Sequence, residues 1–167
     1  MKIFLVTSYM TSKGGVSKYV DRLAKYLASQ NDQVTIVSLY VNREIFHYEK
    51  NVTIKDLTNL NILPQSISFW LNLKNIQKKF SKLVNEDKPD VILFNDFPST
   101  LWAQEFLTIP NLCYTHDIHM LYTNTYIKNL PTITRSIWRL LRIFARIYDK
   151  KQWTYFDQII CNTQFLA

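Results

Sequence analysis

Gly14 and Gly15 stand side by side and are the only glycines in a chain of 167 residues, where average usage gives about a dozen. A glycine pair opening a helix lets backbone N–H groups approach an anion with no Cβ in the way, and Lys13 and Lys18 put positive charge beside it. The same pair also serves as a tight turn at a helix start. The spacing is not G-x-G-x-x-G, the second apolar run ends in Ser38-Leu39-Tyr40 with no carboxylate, and the P-loop pattern is missing. These gaps count against a conventional dinucleotide dehydrogenase and against a P-loop phosphotransferase.

A second cluster is His116-Asp117 with His119. Two imidazoles and a carboxylate can contact a ligand, move a proton or hold a metal, but a two-residue gap on a loop is poor metal-ligand spacing, and no metal site is expected. A hydrogen-bonded structural histidine is the alternative. Asn95-Asp96 can bind hydroxyls or cap the segment that follows. Arg135, Arg139, Arg142, Arg146 and Lys150 fall within a stripe of about 80° if 132–153 is a helix. Ile137, Trp138, Leu140, Leu141, Phe144, Ile147 and Tyr148 lie opposite. Such a helix can lie on an anionic bilayer, or it can be an ordinary core-packed helix with a solvated outer face. Nucleic acid is not expected as a partner, because the aromatics oppose the arginines and are not interleaved with them. The lysines between 74 and 82 read as a solvated helix face.

Positioning these residues takes a regular series of elements. Apolar runs predict strands over 2–8, 33–40, 51–57, 90–94, 111–115 and 157–161. Helical spacing covers 16–29 through Val16, Tyr19, Val20, Leu23, Ala24 and Leu27. It also covers 66–85, with Ile67, Trp70, Leu71, Leu73, Ile76, Phe80, Leu83 and Val84 inward, then a shorter stretch over 99–107 and the long one over 132–153. Segment 9–15 is then a loop between the first strand and first helix, and Arg43, Glu44, His47 and Lys50 mark a surface excursion. Strands alternating with helices in this way predict right-handed βαβ units and an α/β, Rossmann-like parallel sheet sandwiched by helices. In that architecture ligands sit at the carboxyl ends of the strands, where the glycine pair, Asn95-Asp96 and His116-Asp117 all fall.

Composition agrees with one globular domain: 47% hydrophobic and 20% charged residues leave no case for disorder. No apolar run approaches the ~20 residues of a membrane span, and the opening run is too brief for a signal peptide, so a cytoplasmic setting is expected. Cys113 and Cys161 each lie in an apolar segment, which predicts two buried thiols. The net charge of +7 calls for an anionic partner.

Taken in order, these segments resemble the N-terminal half of a GT-B glycosyltransferase, in particular glycosyltransferase family 4. Ser12-Lys13-Gly14-Gly15-Val16-Ser17-Lys18-Tyr19-Val20 is similar to that family's glycine loop and first helix, and Gln33-Val34-Thr35-Ile36-Val37 to its second strand. Lys88-Pro89-Asp90-Val91-Ile92, Tyr114-Thr115-His116-Asp117 and Phe156-Asp157-Gln158-Ile159-Ile160-Cys161-Asn162-Thr163 resemble later family segments. The resemblance spans nearly the whole chain. It departs at Ser17, where an acidic residue is common, and around Phe94-Asn95, where histidines are often found.

The resemblance implies a retaining hexosyl transfer from a nucleotide-sugar donor to a cell-envelope or lipid-linked glycan, with no metal or other cofactor. Gly14, Gly15 and Lys13 would meet the donor's sugar-phosphate, and His116 the donor sugar or transition state. Asn95, Asp96 and Asp117 would line the acceptor side. The nucleotide would be held mostly by a second, C-terminal domain, in cis or on a partner chain, so residues 1–167 alone would be an incomplete catalyst. The arginine row at 135–150 would touch the inner face of an anionic membrane. The alternative reading is a non-catalytic α/β module docking to membrane or protein through that row.

Overall fold

The computed structural model describes residues 1–11, 14–48, 50–58, 67–102, 108–115, 135 and 153–161. Six strands form one sheet: β1 (Lys2–Met10), β2 (Gln33–Val41), β3 (Val52–Asp56), β4 (Val91–Phe94), β5 (Asn111–Thr115) and β6 (Gln158–Cys161). Their order is β3-β2-β1-β4-β5-β6, and every neighbouring pair is parallel. Parallel neighbours need long crossovers. Helix α1 (Gly15–Ser29) supplies the one from β1 to β2, and α2 (Ile67–Asp87) the one from β3 to β4. The winding reverses between β1 and β4, which makes the carboxyl edge of those two strands the topological switch point.

Both faces of the sheet are covered, as near-continuous apolar strands require. Along β1, Ile3 and Leu5 point to one face and join Val34 and Ile36 of β2 under Val20 and Ala24 of α1. Phe4 and Val6 point to the other and join Val37, Leu39, Ile92 and Phe94. That second face is roofed by Phe69, Leu73, Ile76, Phe80 and Val84 of α2. The Phe80 ring meets Phe94 edge-on at 5.8 Å between centroids and lies 6.1 Å from Trp102.

Helix ends follow from local chemistry. Asn31 takes the left-handed conformation (φ 66°) just beyond α1, a role asparagine tolerates. Lys88 does the same (φ 48°) beyond α2, with Pro89 barring further helix. The Lys2 side chain reaches the Asp87 carbonyl at 3.3 Å, which places the end of α2 beside the start of β1.

Several sequence expectations need adjustment. β1 runs on to Met10 and β2 to Val41, because the two strands keep pairing through Tyr9↔Tyr40 and Met10↔Val41, so the loop before α1 is shorter than 9–15. On α2, Leu71 is 78% exposed where an inward position was expected, and Phe69, left out of the inward set, is fully buried. Helix α3 (Phe97–Thr100) begins at 97 and not 99. Of the helix expected over 132–153, only Arg135 and Trp153 are described; Arg135 is helical, and Trp153 opens a short 3-10 turn (Trp153–Tyr155). Cys113 is buried in β5. Arg43, Glu44, His47 and Lys50 are exposed as expected.

Candidate functional site at the carboxyl edge of the sheet

At the switch point, small hydroxyl residues replace the apolar pattern of β1. Thr7 and Ser8 are both buried there, and what makes that affordable is Asp96, one residue beyond the Asn95 that follows β4. Asp96 Oδ2 accepts from the Thr7 hydroxyl at 2.8 Å and the Ser8 N–H at 2.7 Å. Its Oδ1 accepts from the Ser8 hydroxyl at 2.7 Å and the Ser99 N–H at 2.9 Å. A carboxylate offers about four acceptor positions, and here each is filled. Asp96 therefore caps α3 and ties the ends of β1 and β4 together through charge-assisted bonds.

Asn95 is fully buried. Its backbone N–H and its Nδ2 both donate to the Val6 carbonyl (2.8 and 3.2 Å), and Nδ2 also lies 3.0 Å from the Leu93 carbonyl. Its Oδ1 is buried without a hydrogen-bond partner. The stitching continues to β2, where the Ser38 hydroxyl lies 3.0 Å from the Ser8 carbonyl and accepts from the Tyr40 N–H. In this structure the Asp96 carboxylate takes the capping role that the sequence also allowed it, and the Asn95 amide turns back onto the strands. Both are built into the edge itself. Thr7, Ser8, Ser38 and Ser99 were not singled out from sequence; the signal was a change from apolar to small hydroxyl residues at strand ends.

Onto this braced edge opens the amino end of α1. Gly14 is its N-cap at φ −73°, ψ 176°, no side chain among the described residues caps the helix, and no acidic residue occupies the first turn. Neither glycine has positive φ, so left-handed backbone freedom is not what the pair supplies here. A Cβ built on Gly15 meets no atom within 4 Å. What the glycines provide is bare backbone: N–H groups and the positive end of the helix dipole, reachable from open space. Ser17 is buried with its hydroxyl 3.4 Å from the Tyr9 carbonyl.

Two aromatic groups flank the edge. Tyr19 of α1 stacks on Tyr114 of β5 with centroids 4.6 Å apart and rings 15° from parallel, which braces α1 against the strand that ends one residue before His116. Burial and then the neighbouring Tyr114 push the Tyr19 phenol above its ordinary range. Tyr9, near the end of β1, has a buried hydroxyl without a hydrogen-bond partner, and burial pushes it up to about 12.

His116, Asp117, Lys13, Arg139, Arg142, Arg146 and Lys150 lie outside the described residues. Arg135 is half-buried. Among the described residues no group of three His, Cys, Asp or Glu side chains could hold a metal ion, and no helix is long and apolar enough to cross a membrane. Two concavities of about 680 and 450 Å³ lie away from the carboxyl edge, beside α2 and beside the end of α1.

No curated protein sequence matches the chain. Among solved structures, it is similar to WaaG, a glycosyltransferase involved in lipopolysaccharide biosynthesis, at 12% identity and a TM-score of 0.52, over 86% of this chain and 34% of that one. It is also similar to a sucrose-phosphate synthase from Thermosynechococcus elongatus at 14% identity and a TM-score of 0.56, over 83% of this chain and 39% of that one. The chain thus spans little more than a third of the length of these structures, and at such identities they speak for the fold alone. The family model for Glycosyltransferase Family 4 matches residues 13–167, nearly the whole chain and every element from the glycine pair onward. Matched by that model over nearly its whole length, the chain belongs to glycosyltransferase family 4, and its Rossmann-like sheet wound about β1 and β4 has the fold of a GT-B N-terminal domain.

Proposed function

We propose that the chain is the acceptor-side half of a retaining glycosyltransferase that moves a hexosyl group from a nucleotide-sugar to a lipid-linked or cell-envelope glycan. The observation that carries this reading is the uncapped, acid-free amino end of α1 opening at the switch point. Breaking a sugar–phosphate bond builds positive charge on the sugar and negative charge on the departing diphosphate. Backbone N–H groups fixed at a helix start stabilise that negative charge and do not reorganise as it forms. Gly14 and Gly15 let the diphosphate come close, and Lys13 adds its charge. His116, following β5 at the same edge, contacts the donor sugar, and Asp117 faces the acceptor. Asp96 and Asn95 serve by holding β1 and β4 in register beneath the site.

A second domain, in cis or on a partner chain, supplies most of the nucleotide's contacts. Transfer needs no metal in this reading, and the arginine row from Arg135 to Lys150 keeps the protein at the inner face of an anionic membrane.

The test is transfer of labelled sugar by the full natural protein, screened over nucleotide-sugars with a lipid extract as acceptor. His116→Ala is expected to lower transfer by about 10²-fold or more, the usual scale for a group acting on the reacting atoms. Gly15→Ala carries a double expectation. Transfer falls because the methyl covers the N–H groups, while stability holds or rises by about 0.5–1 kcal/mol, since a helical glycine at negative φ gains from a Cβ that meets nothing. Full transfer by both variants would overturn the assignment.

A further inference from the structure

Helix α2 carries a face that its packing does not explain. The core stripe of Phe69, Leu73, Ile76, Phe80 and Val84 leaves Leu71, Lys74, Lys78 and Lys82 on the opposite side, all exposed and within about 80° of one another. Lys74, Lys78 and Lys82 are spaced i, i+4, i+8, the spacing at which like charges on a helix repel. Among the described residues the one ion pair on this row is the loose, exposed Lys82–Glu86 contact at 3.7 Å. Nor do these lysines serve the helix dipole, because the last turn holds no basic residue and ends in Glu86-Asp87. At the head of the row stands Leu71, the most exposed of the large hydrophobic residues among those described, at 78%.

We propose that this outward face of α2 is a docking surface for an anionic phospholipid bilayer, separate from the arginine row. Charge complementarity argues for that occupant: a row of lysines repelling one another is relieved by a sheet of phosphates. A single exposed leucine in line with them adds an apolar contact at the headgroup boundary, while the helix keeps its own apolar stripe on the sheet. Nucleic acid fits poorly, since no aromatic ring shares the row to stack on bases. Orientation adds to the case. β3 ends and β4 begins at opposite edges of the sheet, so α2 runs antiparallel to the strands and Leu71, in its second turn, lies toward the carboxyl edge. A bilayer seated on this row therefore meets the carboxyl edge at its Leu71 end, while the lysines run away from that edge along the concavity beside α2. The inference does not rest on glycosyl transfer, because its test reads lipid binding alone.

The experiment is co-sedimentation of the full natural protein with phosphatidylcholine vesicles and with vesicles of mixed phosphatidylcholine and phosphatidylglycerol. Binding is expected to the mixed vesicles and to fall with salt. Joint Lys74→Gln, Lys78→Gln and Lys82→Gln should weaken it by about 10²-fold, at about five-fold per lysine. Leu71→Ser should weaken it by about ten-fold, the effect of losing one buried apolar side chain. Neither variant should have a lower urea midpoint than wild type, and the lysine variant's can rise slightly as the repulsion is relieved, which excludes misfolding as the cause. Undiminished binding by the lysine variant, binding lost only when the row from Arg135 to Lys150 is neutralised, or no binding of the wild type to either vesicle overturns the proposal. The last of these would leave a protein partner as the occupant of the face.

Discussion

Asp96 shows how a residue suited by type to meet a substrate can be spent on the scaffold. Sequence placed it at the carboxyl edge after a strand, which is correct, but position alone does not say where a carboxylate's lone pairs go. Thr7, Ser8 and Ser99 take all of them, at 2.7–2.9 Å. The Thr7 and Ser8 hydroxyls can rotate to suit another partner, whereas the Ser8 and Ser99 N–H groups can only donate. Asp96→Asn puts an NH₂ group against one of those fixed donors. The expected cost is about 2–3 kcal/mol, a lost charge-assisted bond together with a donor left unsatisfied. Urea denaturation of the variant against wild type reads it directly, and a change below about 0.5 kcal/mol, the ordinary scale of a surface substitution, would mean that the network is not formed in solution. Ser8→Ala should fall between the two, since it removes one side-chain bond and leaves the N–H contact in place.

At the scale of elements, α2 separates what periodicity can and cannot reveal. The 3.6-residue repeat identified the helix and most of its core stripe, yet it assigned Leu71 inward and passed over Phe69. Both errors have one cause. Phe69, Trp70 and Leu71 are consecutive apolar residues, and about 100° per residue spreads them over more than half the helix circumference. Only the packing of Phe69 on the second face of the sheet, against Trp70 at 5.6 Å edge-on, decides which of the three is buried. The consequence is measurable: Phe80→Ala, at the centre of the stripe, should cost about 3–5 kcal/mol through the cavity it leaves, whereas Leu71→Ala should change stability by less than about 0.5 kcal/mol. Equal losses at the two positions would contradict the orientation of α2. The strands were more legible than the helices, because a run buried on both faces need only be apolar and β-branched, and all six begin within a residue of where the pattern put them and end within two. The glycine pair was legible as well, since two glycines in the whole chain fall at one strand-to-helix junction. The hydroxyl network was not, because Thr and Ser at strand ends occur for many reasons and their partner lies about ninety residues away in the chain.

Across the whole molecule, ionisable phenols are set into both faces of the sheet, and together they predict how stability depends on pH. Tyr9 packs against the core under α2, whereas Tyr19 and Tyr48 pack against the core under α1. Burial is the first cause of a raised pKa at each, reinforced by Tyr114 at Tyr19 and by the Asp21 carboxylate at Tyr48. A phenol whose folded pKa lies above its unfolded value binds its proton more tightly in the native state. Its contribution is complete below the unfolded value of 10.0 and is lost as pH climbs toward the folded value, about 12 for Tyr9. The urea midpoint should therefore fall between about pH 9 and pH 11, the window that spans an ordinary phenol's titration. Lysines lose charge over the same range and would mask a single curve, so the comparison that matters is between wild type and Tyr9→Phe at both pH values. Near neutrality Tyr9→Phe should be no less stable than wild type, since the hydroxyl it removes is buried without a hydrogen-bond partner. At the higher pH it should be the more stable of the two, having no proton to lose from that site. A decline as steep in Tyr9→Phe as in wild type would show that the Tyr9 hydroxyl is hydrated in the native state, and with it that the end of β1 is open to water where this structure closes it.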